Sequence, residues 1–166
     1  MKNAIIAILM VFTFIGADAQ QSTAAAAARK NIAPFRIQQA NGSFYTASDL
    51  KKGTPVMIVY FDPDCDHCSV FTADLLKNIN AFANVQIVMV TYVPLQTLKN
   101  YIAKTKLNQY PAIKTGTEGT NFIIRYHYNV VQFPYLALHD KNGNLFATYE
   151  SEVPGAMQLA EMFKKK

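Results

Sequence analysis

Only two cysteines occur in the 166 residues, at positions 65 and 68. A structural zinc site wants four ligands, and no second cysteine pair is there to supply them. Arginine is scarce too: Arg29, Arg36 and Arg125 are the whole set. No Arg-rich or aromatic-interleaved patch exists, so the net charge of +5 does not point to nucleic acid. The dispersed lysines read as solvated surface, and Lys164, Lys165 and Lys166 complement the negative end of a terminal helix. Charged residues make up 16% of the chain against 51% apolar, which excludes disorder and fits one domain with a full core. No internal repeat divides it.

Long hydrophobic runs are also missing. The nearly unbroken apolar stretch at 4–15 falls short of the ~20 residues that a spanning helix needs. Lys2 precedes it and Ala17, Asp18 and Ala19 follow it as an A-x-A cleavage site, so residues 1–19 are expected to be a cleavable signal peptide. No cysteine follows the run to carry a lipid, and no stable membrane anchor is expected after cleavage. Residues 20–30 are expected to be a flexible leader and 31–166 the folded domain. The protein is thus expected in the periplasm or otherwise exported, where a cysteine pair is a staple or a working redox couple. A staple is poor value at this spacing, about 2 kcal/mol against ~3 for a fifteen-residue loop.

What is present alternates between two periods. "FRIQQANGSFYTA" reads as a hairpin about Asn41 and Gly42. "SDLKKG" suits one helical turn stopped at Gly53, and "PVMIVYF" is a strand buried on both faces. From Cys65, Val70, Phe71, Leu75, Leu76 and Ile79 recur at helical spacing to about Phe82. "NVQIVMVTYV" is a second buried strand, and a helix follows Pro94. Strand–helix–strand–helix order implies right-handed crossovers and a partly parallel sheet. "GTEGTNFIIRYHYNV" suits a strand by propensity or a short helix after Gly119. "FPYLALHDKNGNLFATYE" is a hairpin, and a helix entered at Pro154 closes the chain.

The cysteines sit where the first buried strand gives way to a helix, in "FDPDCDHC". A cysteine at a helix start faces unpaired N–H groups and the positive end of the dipole, which favour the thiolate. Cys68, one turn on, is placed to attack a mixed disulfide formed at Cys65. C-x-x-C at a strand–helix junction therefore indicates thiol–disulfide exchange. Haem attachment is excluded because Ser69, not histidine, follows Cys68. The alternative is a copper- or zinc-binding, metallochaperone-like module using Cys65, Cys68 and a histidine. His127 and His139 read as structural or surface residues, and the aromatic residues 122–135 as core and groove lining.

"IAPFRIQQANGSFYTASDLKKGTPVMIVYFDPDCDHC" resembles the opening of a TlpA-like protein of the thioredoxin superfamily: an A-P-x-F element, a Gly-turn hairpin, an S-D-L-K-G step, and a strand running into C-x-x-C. "YNVVQFPYLALHDKNG" is similar to that family's approach to its cis-proline strand, and the likeness spans about 33–163. It implies a thioredoxin-like α/β fold: a central mixed sheet flanked by helices, with an N-terminal β-hairpin and a strand–helix insertion before the cis-Pro strand. It makes "NFIIRYHYNV" a short helix. It implies Cys65 as nucleophile, Cys68 as resolving thiol, His67 as tuning residue and Pro134 as the cis-proline, with Phe133 and Gln132 holding the substrate backbone. Protein thiols and disulfides are the implied substrates, with a membrane redox partner for recycling and no bound cofactor, because the pair carries the electrons. Asp64 replaces the usual tryptophan before the first cysteine, and Val59 stands where thioredoxins proper place a buried acid. His67 favours the thiolate whereas Asp62, Asp64 and Asp66 oppose it, unless one of them caps the helix.

Overall fold

The computed structural model of the protein describes residues 30–166. The signal peptide expected at 1–19, and the leader expected at 20–30 apart from Lys30, lie outside the described residues. The chain runs β1 (Arg36–Gln39), β2 (Phe44–Thr46), β3 (Val56–Tyr60), α1 (Asp66–Lys77), β4 (Gln86–Thr91), α2 (Leu95–Thr105), β5 (Ile113–Thr117), α3 (Ile123–Tyr128), β6 (Tyr135–His139), β7 (Leu145–Glu150) and α4 (Ala156–Lys164). All seven strands join one sheet in the order β2-β1-β5-β4-β3-β6-β7. β3 pairs parallel to β4 and antiparallel to β6, so the sheet is mixed.

Alternation along β3 separates two cores. Met57, Val59 and Phe61 face Phe71 and Leu75 of α1, Leu98 of α2 and Leu159 of α4. Val56, Ile58 and Tyr60 face the other layer, with Phe35, Ile124 and Tyr128. Every residue of β3 is buried, which is why its run reads as continuously apolar.

Two elements depart from the sequence reading. The helix expected to reach Phe82 ends at Lys77, where the Asn78 side chain bonds the Asp74 carbonyl at 2.9 Å, and Ile79–Phe82 continues as a 3-10 turn. A strand, β5, lies at Ile113–Thr117, which no periodicity marked. Its inner residues Thr115, Gly116 and Thr117 are buried yet not strongly apolar. The ambiguous segment after it resolves into a 3-10 turn at Gly119–Asn121 and the short helix α3.

A chain of hydrogen bonds crosses the second core. The Ala33 N–H donates to the Tyr128 hydroxyl at 3.1 Å, which lies 2.8 Å from His139 Nε2. His139 Nδ1 lies 3.0 Å from the Gly143 carbonyl. A carbonyl only accepts, so Nδ1 carries the proton and Nε2 accepts from Tyr128. His139 is fully buried, and burial pushes its pKa down to about 4.

Candidate active site

Past Tyr60 the chain leaves the sheet through Phe61 and turns at Asp62, Pro63 and Asp64. The turn closes with the Cys65 N–H on the Asp62 carbonyl at 3.1 Å. Cys65 occupies the N-cap of α1, and its sulfur accepts the Cys68 N–H at 3.2 Å. The cap of the helix is therefore the sulfur itself and not one of the aspartates. That bond and the helix dipole both stabilise negative charge at Cys65. Asp64 and Asp66 are exposed, while the Asp62 carboxylate accepts the Asp64 N–H at 2.9 Å.

Cys65 is half-buried and Cys68 wholly buried; both carry free thiols. Burial pushes the Cys68 thiol well above its ordinary pKa, and its hydrogen bond with Cys65 adds to the rise. The backbone N–H of Asp62 opposes it, and the charges of Cys65 and Asp62 reinforce it more weakly. Val59 lies in the apolar core shared with Cys68.

The opposite wall of the site is the turn before β6. The Phe133–Pro134 peptide is cis, and the Cys65 thiol donates to the Phe133 carbonyl at 3.7 Å. Glu150 fastens this turn from β7: its Oε1 accepts the N–H groups of Val131 at 2.7 Å and Gln132 at 2.5 Å. The Ser151 N–H donates to the Pro134 carbonyl at 3.0 Å. Gln132 is exposed and Phe133 half-buried. Cys65, Cys68, Phe133 and Pro134 are thus brought together, with Gln132 beside them on the surface.

His67 points elsewhere. It is exposed and lines a groove of about 420 Å³ with Val70, Phe71, Asp74, Val153 and Pro154. His127 bonds the Asn31 carbonyl at 3.0 Å, so neither it nor His139 joins the cysteines. Among the described residues, no three His, Cys, Asp or Glu side chains gather where a metal ion would sit.

Several neighbours carried no local signal in the sequence. Phe133 stacks on Tyr60 at 5.9 Å and on Tyr92 at 6.0 Å between ring centroids. The Tyr92 hydroxyl donates to Asp62 Oδ2 at 2.5 Å. Arg125 of α3 lies 5.7 Å from the Tyr92 ring centre and 5.8 Å from that of Phe133. Behind them, the buried Glu118 carboxylate accepts the Tyr60 hydroxyl at 2.7 Å and the Ile124 N–H at 2.8 Å. Burial and this acceptor hold the Tyr60 hydroxyl protonated far beyond its ordinary range.

Residues 48–166 match the family model of a thioredoxin-like domain. Among solved structures, a secreted disulfide oxidoreductase of Mycobacterium tuberculosis, described as homologous to DsbE of E. coli, superposes with a TM-score of 0.66 at 16% identity, covering 80% of this chain and 96% of that one. The thioredoxin domain of a thiol-disulfide oxidoreductase from Bacteroides vulgatus gives 0.67 at 22% identity, over 81% and 96%. StoA from Bacillus subtilis gives 0.62 at 18% identity, over 76% and 93%. No curated protein matches the chain. At these identities the superpositions establish the fold.

Proposed function

The chain belongs to the thioredoxin-like domain family, and on that premise we propose that it is an exported thiol–disulfide oxidoreductase acting on protein substrates. One observation carries the reading: the Cys65 sulfur stands at the start of α1, half-buried, with Cys68 fully buried one turn behind it. Such a pair divides the work. The Cys65 thiolate attacks one sulfur of a substrate disulfide, forming a mixed disulfide and releasing the other substrate sulfur as a thiolate. Cys68 loses its proton and attacks the Cys65 sulfur. The Cys65–Cys68 disulfide closes, the substrate leaves as a dithiol, and two electrons have passed to it. Run backwards, the same steps oxidise a substrate.

Pro134 and Phe133 hold the substrate backbone beside the Cys65 sulfur, with Gln132 at the rim. His67 stands exposed beside the pair, and its groove receives the substrate on the other side. A membrane redox partner returns the pair to its working state. Export rests on the apolar run and cleavage motif at the start of the chain.

Trapping tests this division. Cys68→Ser should leave partner proteins held on Cys65 as mixed disulfides, whereas Cys65→Ser should trap almost none. Equal trapping by both variants would sink the assignment of roles.

A further inference from the structure

Two turns build the redox centre, and one side chain touches both. Tyr92 directly follows β4, bonds the Asp62 carboxylate with its hydroxyl and stacks its ring on Phe133 at an interplanar angle of 23°. Asp62 in turn holds the cysteine turn, by its carbonyl on the Cys65 N–H and by Oδ1 on the Asp64 N–H. Phe133 carries the carbonyl that meets the Cys65 thiol. From these contacts, and resting on the exchange reading above, we propose that Tyr92 is a positioning residue of the redox centre. It fixes Asp62 and draws its charge away from the sulfurs, so that Cys68 can ionise and resolve the mixed disulfide.

Two donors hold that carboxylate: the Tyr92 hydroxyl on Oδ2 and the Asp64 N–H on Oδ1. Tyr92, Cys65, Cys68 and the exposed Asp64 are the titratable groups close to Asp62, and Arg125 of α3 lies over the Tyr92 ring. Asp66 and His67 are exposed on α1, and Tyr101 of α2 gives its hydroxyl to a 2.8 Å contact with Thr72. The hydrogen bond to Asp62 is the largest influence on Tyr92, holding its phenol protonated above the ordinary range. A carboxylate that accepts a phenol presents less charge to its other neighbours.

Stopped-flow reaction of the reduced protein with 5,5′-dithiobis(2-nitrobenzoate) separates the two sulfurs. Attack by Cys65 releases one thionitrobenzoate and leaves a mixed disulfide; attack by Cys68 on the Cys65 sulfur closes the pair and releases the second. Tyr92→Phe keeps the ring but removes the donor. It should slow the second release about threefold at pH 7 and move its pH midpoint up by about half a unit. In an Asp62→Asn background the same change should do nothing, because no carboxylate is left to hold. A second release unaltered in Tyr92→Phe overturns the proposal, as does equal slowing with and without the Asp62 carboxylate. Release of a single equivalent by the unmodified protein overturns the exchange reading and this inference together.

Discussion

The Cys65 sulfur fills a position that Ser, Thr, Asp or Asn ordinarily takes, accepting a backbone N–H in the first turn of a helix. That makes one atom both cap and reactive group. Its cost is small for the serine variant used in trapping, since a hydroxyl caps a helix as well as a sulfur does. The two sulfurs differ chiefly in access: Cys68 is fully buried on the inner face of α1, and its thiol is held protonated by burial. Under mild alkylation of the reduced protein, Cys65 should therefore be modified well before Cys68, as peptide mapping by mass spectrometry will read. Preferential labelling of Cys68 would reverse the roles.

Among the elements, β5 shows where the sequence stops being legible. β3 and β4 announced themselves as apolar runs because both of their faces are buried. α1 was legible from its period, and Cys65 from standing at the junction. β5 is buried as well, but its register with β1 demands a small residue where the strands press together. A Cβ on Gly116 would lie 2.8 Å from the Cβ of Ile37, so glycine sits there for space and not for flexibility. Thr117 turns its hydroxyl to backbone: its Oγ1 donates to the Val93 carbonyl at 2.6 Å. Neither feature looks apolar in one dimension. Gly116→Ala should therefore cost about 1–3 kcal/mol in urea denaturation by forcing β1 and β5 apart. A change within error would mean that Ile37 yields freely. Tyr92 was illegible for a related reason: its partners Asp62 and Phe133 lie 30 and 41 residues away, and only the sheet brings them together.

Across the whole molecule, the Ala33–Tyr128–His139–Gly143 chain ties the segment ahead of β1 to α3, to β6 and to the last hairpin. Protonating His139 would put a hydrogen on Nε2 and end its acceptance from Tyr128. Burial lowers its pKa from 6.5 to about 4, so between these values the unfolded chain binds the proton that the folded one refuses. Stability is then complete above about pH 6.5 and falls as pH drops toward 4, by about 3 kcal/mol in all from this group. Urea midpoints measured from pH 7 to 5 should decline in the parent and much less in His139→Leu; parallel declines would remove His139 as the cause. The sheet order carries one more consequence. β1 and β2 reach the rest of the sheet only through β5, whose register with β1 joins Gln38 to Thr117. A ribosome delivers the hairpin first, yet it has no neighbour in the sheet until residue 117 has emerged. The earliest strand made thus waits through β3 and β4 before it can be seated, and a nascent chain stopped short of β5 carries an open strand edge at each side of the gap.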